Sequence, residues 1–377
     1  MCGYFALVKK NPNFKINKKL FFESSFLIKH RGPDKEKFIE AKNILANFYR
    51  LSILDLTDNA MQPMISRNNR YILLYNGEIY NFNKLKKKYS IKANSNSDTE
   101  VLFKLLLIGK DSVIKDLEGM FSFVFFDTYS KKILFARDQF GIKPLYYYEN
   151  KYFFLFSSEI KPIINFTKKK TFNPNAIYDF FFKGCLDHKD NSFFSEIKSL
   201  YPGNYGIINQ NIIKLKKYWD IVDNKKKTFS EKKILTDVKK LINNSVNDHL
   251  ISDRQIGLSL SGGSDSTSLA YLISKNINYK LNTFTYSFMD DEKYSEVAEV
   301  EQTIKKLNIS NKNIIVSSKY VIDNFDKLIT VLESPFTSIR LFGIYKIYDL
   351  LRSTNIKVMI EGDGGDEMMG GYDYNFA

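Results

Sequence analysis

The sequence predicts two folds in series: an α+β half of packed sheets under helical cover, then an α/β half on a largely parallel sheet. Three observations carry this. Apolar, strand-like runs crowd the first half of the 377 residues. After about residue 220 the pattern changes to alternating strand, loop and helix. In that second part, two glycine-rich loops each follow an apolar strand.

The elements follow in chain order. Residues 71–75 read as a strand ending at a turn over Asn76-Gly77, a pair that favours tight turns. Residues 98–107 read as a helix, since Val101, Leu102, Leu105 and Leu106 fall near one face. Strands follow at 121–126, 132–135 and 152–156, separated by polar turns. A lysine-rich stretch at 225–233 leads into a helix marked by Ile234, Leu235, Val238, Leu241, Ile242 and Val246. Then come a strand at 255–260, a tight loop at 261–266 and a helix at 267–274. Further strands are expected at 282–287, 313–316 and 357–360, with helical patterns between them. The boundary between the halves falls within 205–232.

Bulk composition narrows the function classes. An apolar fraction of 44% supports a real core. No apolar run is long enough to span a membrane, and the N-terminus lacks the order of a secretory signal. Two cysteines make no disulfide scaffold, so the expected location is cytoplasmic. The net charge of +14 comes largely from lysine in asparagine-rich runs such as Lys168–Lys170 and Lys225–Lys227, without arginines interleaved with aromatics. That argues against a nucleic-acid partner and suits a polyanionic small ligand such as a nucleoside triphosphate.

The chain opens Met1-Cys2-Gly3. Loss of Met1 would leave a thiol and a free α-amine on one residue. The amine titrates near about pH 7.7 and can serve as base for its own thiol, an acyl-transfer catalyst without histidine. The plain alternative is that Cys2 is an early small residue.

Ser261-Gly262-Gly263-Ser264-Asp265-Ser266 lies between a strand and a helix. Two glycines allow a close backbone approach, and the helix N-terminus offers N–H groups to an anion. Asp265 would repel bare phosphate, which points to a bridging Mg²⁺. Neither a Walker A loop nor a dinucleotide fingerprint is present; an ordinary βα turn with a serine cap is the alternative. The second loop, Glu361-Gly362-Asp363-Gly364-Gly365-Asp366-Glu367, gathers four carboxylates among three glycines, a costly cluster without a cation or ligand. A calcium site is the alternative, though the EF-hand spacing is missing. A parallel sheet brings both loops to one edge, where they can face one crevice.

These residues resemble the glutamine-hydrolysing asparagine synthetases and related amidotransferases with the same two domains. The matching stretches include Met1-Cys2-Gly3, His30-Arg31-Gly32-Pro33-Asp34, Arg50-Leu51-Ser52-Ile53, Asn76-Gly77-Glu78-Ile79-Tyr80-Asn81 and Ser97-Asp98-Thr99-Glu100. Others are Gly141-Ile142-Lys143-Pro144-Leu145-Tyr146, Ser158-Glu159-Ile160-Lys161 and both glycine loops. The resemblance implies a class II glutamine amidotransferase domain over 2–205, an N-terminal-nucleophile four-layer sandwich. It implies an ATP-pyrophosphatase synthetase domain over 232–377.

It also implies roles. Cys2 is the nucleophile that forms a γ-glutamyl thioester and releases ammonia. Asn76 and Gly77 form the oxyanion hole; Arg50, Glu78 and Asp98 hold glutamine. Leu260, Ser261, Gly262, Gly263, Ser264, Asp265, Ser266, Glu361 and Gly362 bind ATP, and Asp265 and Asp366 bind Mg²⁺. The acceptor carboxylate, aspartate by first choice, is adenylated, and ammonia from an internal tunnel displaces AMP, assisted by Asp363. Other carboxylate acceptors, a stand-alone glutaminase and a non-catalytic regulatory subunit are the alternatives.

Two departures matter. Asp363 stands where glutamate is commoner, which shortens the reach by one methylene and loosens the assignment of the acceptor. Ser264 replaces a commoner aliphatic residue. Relatives also continue well beyond Gly370-Gly371-Tyr372. The expectation is a fragment, a split gene or a degraded paralogue, with a homodimer or a partner chain supplying the remainder.

Overall fold

A computed structural model describes residues 1–186, 188–221, 230–289 and 297–372. The chain divides into two compact units, Met1–Lys226 and Lys227–Ala377. The lysine run at 225–227, part of the stretch at 225–233, and the chain end from Asp373 lie outside the described residues.

The first unit runs β1 (Gly3–Lys9), α1 (Lys18–Phe26), β2 (Lys35–Ala41), β3 (Ile44–Arg50), β4 (Met64–Ile65), β5 (Tyr71–Ile79), α2 (Phe82–Lys88) and α3 (Asp98–Gly109). It continues β6 (Gly119–Asp127), β7 (Lys132–Arg137), β8 (Tyr146–Glu149), β9 (Phe153–Ser157), α4 (Ile160–Thr167), α5 (Pro174–Lys183), β10 (Lys198–Ser199), β11 (Asn204–Asn209) and β12 (Ile212–Lys217). One sheet has the order β10-β8-β9-β1-β3-β2 and the other β12-β11-β7-β6-β5-β4.

Alternation along each strand explains the layers. Tyr4, Ala6, Ala46, Phe48 and Phe156 of one sheet meet Ile72, Leu74, Val124, Phe126 and Phe135 of the other in a core between the sheets. The intervening residues Phe5, Leu7, Leu45 and Leu155 face outward and pack with Phe21 of α1 and Ile160 and Ile163 of α4. On the second sheet's outer side, Phe103 of α3 meets Phe125 edge-on, with ring centroids 6.1 Å apart. Helix, sheet, sheet, helix is the four-layer N-terminal-nucleophile sandwich. β1 is buried nearly throughout because both its faces are covered.

The structure corrects two expectations: the last three residues of the loop expected at 261–266 are already helical, from Ser264, and the turn expected at residues 76–77 is absent. Asn76-Gly77 is not a turn: β5 runs through it to Ile79, with Asn76 opposite Ser122 and Gly77 opposite Phe121. The reason is spatial. A Cβ at residue 77 would overlap the carbonyl oxygen of Met120, so glycine serves close strand approach here.

The second unit runs α6 (Glu231–His249), β13 (Gln255–Ser259), α7 (Ser264–Asn276), β14 (Asn282–Phe288), α8 (Val297–Leu307), β15 (Ser310–Val316), α9 (Ser318–Leu332), α10 (Arg340–Leu351), β16 (Ile356–Ile360) and α11 (Gly365–Met369). Its sheet, order β15-β14-β13-β16, is parallel at every pairing. Helices cover both faces: α6 and α7 contribute Val246, Ala270 and Ile273 to one cluster, and α10 contributes Ile347 and Leu351 to another. The chain moves from β13 outward to β15, then returns to place β16 on β13's other side. This reversal opens a crevice at the C-terminal ends of β13 and β16, which is where the two glycine loops emerge. Among the described residues, no helix is long and apolar enough to cross a membrane.

Candidate active site

Four strand and helix ends deliver the first site. Cys2 immediately precedes β1, Arg50 ends β3, Asn76 to Glu78 lie near the end of β5, and Asp98 opens α3. Together with Met1, Tyr75 and Lys143 they line one pocket of about 50 Å³. The structure therefore brings together Cys2, Asn76, Gly77, Arg50, Glu78 and Asp98. Lys143 and Tyr75 were not singled out in the sequence. Their signal would have been a lone lysine in an apolar stretch and a tyrosine at an inward strand position.

The Cys2 thiol donates to the carbonyl of Leu51 at 3.6 Å. Burial pushes its pKa up, opposed by the chain's amine, that hydrogen bond, Arg50 and Arg31. The amine of Met1 is lowered to about 5, by burial first and then by the charges of Arg31 and Lys143. The Asn76 amide is 1% exposed, and neither its nitrogen nor its oxygen has a hydrogen-bond partner.

Asp98 accepts from the Tyr75 hydroxyl at 2.6 Å and the N–H of Ile79 at 3.0 Å; burial still raises its pKa. Glu78 is raised to about 7, by burial first and then by the Asp98 charge, while Lys143 opposes. Lys143 is lowered to about 8, chiefly by burial. Its ammonium approaches the Met1 sulfur at 2.8 Å. Arg50 donates to the carbonyls of Asp55 and Thr57, so part of its guanidinium braces the loop beside the pocket.

In the second unit, the loops after β13 and β16 line one cleft of about 610 Å³ that includes Ser261, Asp265, Glu361, Asp363 and Asp366. Gly262 sits at φ +87° and Gly364 at φ +97°, the left-handed region where glycine is favoured. Ser266 folds the first loop back, donating to the Gly263 carbonyl at 3.3 Å and accepting from the N–H of Ser261 at 3.2 Å. Gly263 caps α7 without a side-chain acceptor, leaving the helix's first N–H groups without a side-chain cap. Gly362 packs near Asp265, and a Cβ at residue 365 would overlap the Asp265 carboxylate. The Tyr348 hydroxyl donates to Glu361, whose pKa is raised by burial and by Asp363.

The donor set fits a nucleotide with its cation only in part on protein ligands. Among the described residues, no three His, Cys, Asp or Glu side chains converge on a metal position. Asp265 and Asp366 alone would need phosphate oxygens to complete a magnesium shell, the usual arrangement for this ion.

Fold and site define an N-terminal-nucleophile amidotransferase domain followed by an ATP-pyrophosphatase-type domain. Comparison with known proteins agrees: the glutamine amidotransferase domain family matches residues 1–219 and the asparagine synthase family residues 237–377. The chain belongs to the glutamine-hydrolysing asparagine synthetase family. It is 31% identical over 404 residues to a Methanocaldococcus jannaschii protein named as a glutamine-hydrolyzing asparagine synthetase 2, covering 99% of this chain and 76% of that one. It is 29% identical to asparagine synthetase 1 of Bacillus subtilis, covering 99% of this chain and 59% of the relative. With asparagine synthetase 2 of that organism the identity is 31%, over 92% of this chain and 48% of the relative. The chain thus spans about half to three quarters of these relatives.

Proposed function

We propose that the protein is an ATP-dependent, amide-forming ligase that hydrolyses glutamine at Cys2 and passes the ammonia to an adenylated carboxylate, aspartate by first choice. The observation that carries this reading is the buried Asn76 amide, unpartnered on both polar atoms and lining the pocket with Cys2. An orphaned buried amide costs about 1–3 kcal/mol, a cost that persists when the group serves a ligand.

In this reading Met1 is removed and the Cys2 amine becomes the base. The charges of Arg31 and Lys143, which also act on Cys2, favour a neutral amine there that can take the thiol proton. The thiolate attacks the glutamine amide carbon. The Asn76 amide and the Gly77 N–H stabilise the resulting oxyanion, ammonia leaves, and water releases glutamate from the thioester. Arg50, through its remaining donors, holds the substrate carboxylate; Asp98 and Glu78 hold its ammonium.

In the second unit, residues 260–266 with Glu361 and Gly362 bind ATP, and Asp265 and Asp366 hold the magnesium ion, which offsets charge repulsion as the acceptor approaches. Asp363 assists ammonia attack. This chemistry fits a cytoplasmic enzyme. Glutamine, ATP, Mg²⁺ and aspartate should yield glutamate, AMP, pyrophosphate and asparagine. Absence of AMP with every carboxylate offered would overturn the ligase reading. AMP that appears only with a different acid would move the acceptor, as the shorter Asp363 allows.

A further inference from the structure

We propose that Glu159 is a positioning residue for the nucleophile: it anchors Arg31, and Arg31 in turn fixes the backbone carbonyl of Cys2. The proposal rests on the glutaminase reading above and adds to it a residue that touches no substrate.

Glu159 stands at the N-cap of α4, yet its side chain makes no capping bond to that helix. A carboxylate there would ordinarily accept a first-turn N–H and favour the helix's positive end. Here the buried carboxylate turns instead toward three cationic side chains. One oxygen lies 2.9 Å from Nε2 of His30 and accepts from Nη1 of Arg31 at 3.0 Å. Lys161 pairs with the other oxygen at 2.9 Å, outside hydrogen-bonding geometry. Burial alone would raise this carboxyl. The His30 bond and the charges of Arg31 and Lys161 more than reverse that, holding it down to about 2.

The opposite edge of Arg31 points at the catalytic residue. Its Nε donates to the Cys2 carbonyl at 3.0 Å. The side chain lies across Gly3, where an added Cβ would come 3.2 Å from Arg31 Cβ and Cδ. The start of β1 is tied to the same segment, since the N–H of Ser158 donates to the Tyr4 carbonyl at 3.1 Å and the N–H of Tyr4 to the Ser158 hydroxyl at 3.2 Å.

The chemistry explains why such a brace is needed. Once Met1 leaves, Cys2 is tethered on one side only. Rotation about the Gly3 N–Cα bond would swing the whole Cys2 peptide group, amine and thiol with it, away from the Asn76 and Gly77 donors. Arg31 restrains that carbonyl, and Arg31 is itself a long, half-buried side chain that needs an anion to hold its pose.

The test compares glutamine hydrolysis by the whole protein and by Glu159→Gln, Glu159→Asp, Arg31→Lys and the Glu159→Gln/Arg31→Lys double variant, with Cys2→Ala as baseline. Alkylation of Cys2 by 6-diazo-5-oxo-L-norleucine counts competent sites. Per competent site, Glu159→Gln should lose about tenfold to a hundredfold in kcat, the scale of a misplaced catalytic group, with KM changed far less. Glu159→Asp should fall between. The double variant should be no slower than the slower single one, because both act on one link. Unchanged kcat per site, or losses that multiply in the double variant, would overturn the proposal. Should Glu159→Gln not fold, a normal kcat in Arg31→Lys would do the same. An unsubstituted protein that neither hydrolyses glutamine nor alkylates at Cys2 would overturn the glutaminase reading itself, and this inference with it.

Discussion

The Tyr75 hydroxyl donates to the buried carboxylate of Asp98 at 2.6 Å, joining the middle of β5 to the first residue of α3. Both residues line the Cys2 pocket. Tyr75→Phe should cost about 1–3 kcal/mol of stability, because a buried acceptor loses a partner. It should also raise the KM for glutamine several-fold while leaving ATP binding unchanged. Denaturant melts and glutaminase kinetics check the two halves of this expectation.

Glu78 makes stability fall with pH. Its folded pKa of about 7 lies above the ordinary 4.5. Between these values the unfolded chain releases a proton that the folded chain keeps, so stability is full below 4.5 and is lost as pH rises to about 7. The penalty is at most about 3 kcal/mol. Lys143, lowered to about 8, acts in the other direction above that pH. Glu78→Gln should flatten the first slope in urea midpoints measured from pH 4.5 to 7.

Much of this was legible in the chain. Apolar spacing marked α3 and the helix before β13, and the reversal in strand order explains why two loops a hundred residues apart share a cleft. Asn76-Gly77 misled because the pair is a turn signal locally, whereas here glycine answers to Met120 on the facing strand. No sequence pattern reports such a contact. Lys143 and Glu159 lie in stretches that match the family, yet only burial and partners give these charged residues a role.

Asp138 organises the loop that carries Lys143. It is fully buried, and its two oxygens accept from the N–H groups of Phe121, Phe140, Ile142 and Lys143 at 2.9–3.1 Å. The neighbouring Arg137 donates to the carbonyls of Gly141, Lys143 and Leu200. Asp138→Ala would orphan four donors at once and should cost about 3 kcal/mol or more, lowering Tm by roughly 6–12 °C. Glutaminase activity should fall at temperatures where the fold persists, because Lys143 loses its register.

Gly365→Ala separates the two chemistries. Residue 365 opens α11, and a Cβ there would overlap the Asp265 carboxylate, so that side chain must turn aside. Asp265 lies in the first turn of α7, and its carboxylate would leave its native pose in the cleft. The substitution therefore displaces a proposed magnesium ligand while leaving every residue of the Cys2 pocket untouched. AMP formation should fall at least tenfold, and the magnesium concentration giving half-maximal rate should rise. Glutamine hydrolysis without ATP should stay within about twofold, because the substituted residue belongs to the other compact unit. Equal loss of both activities would mean that the Asp265–Gly365 contact supports the fold as a whole, and a thermal melt distinguishes that outcome.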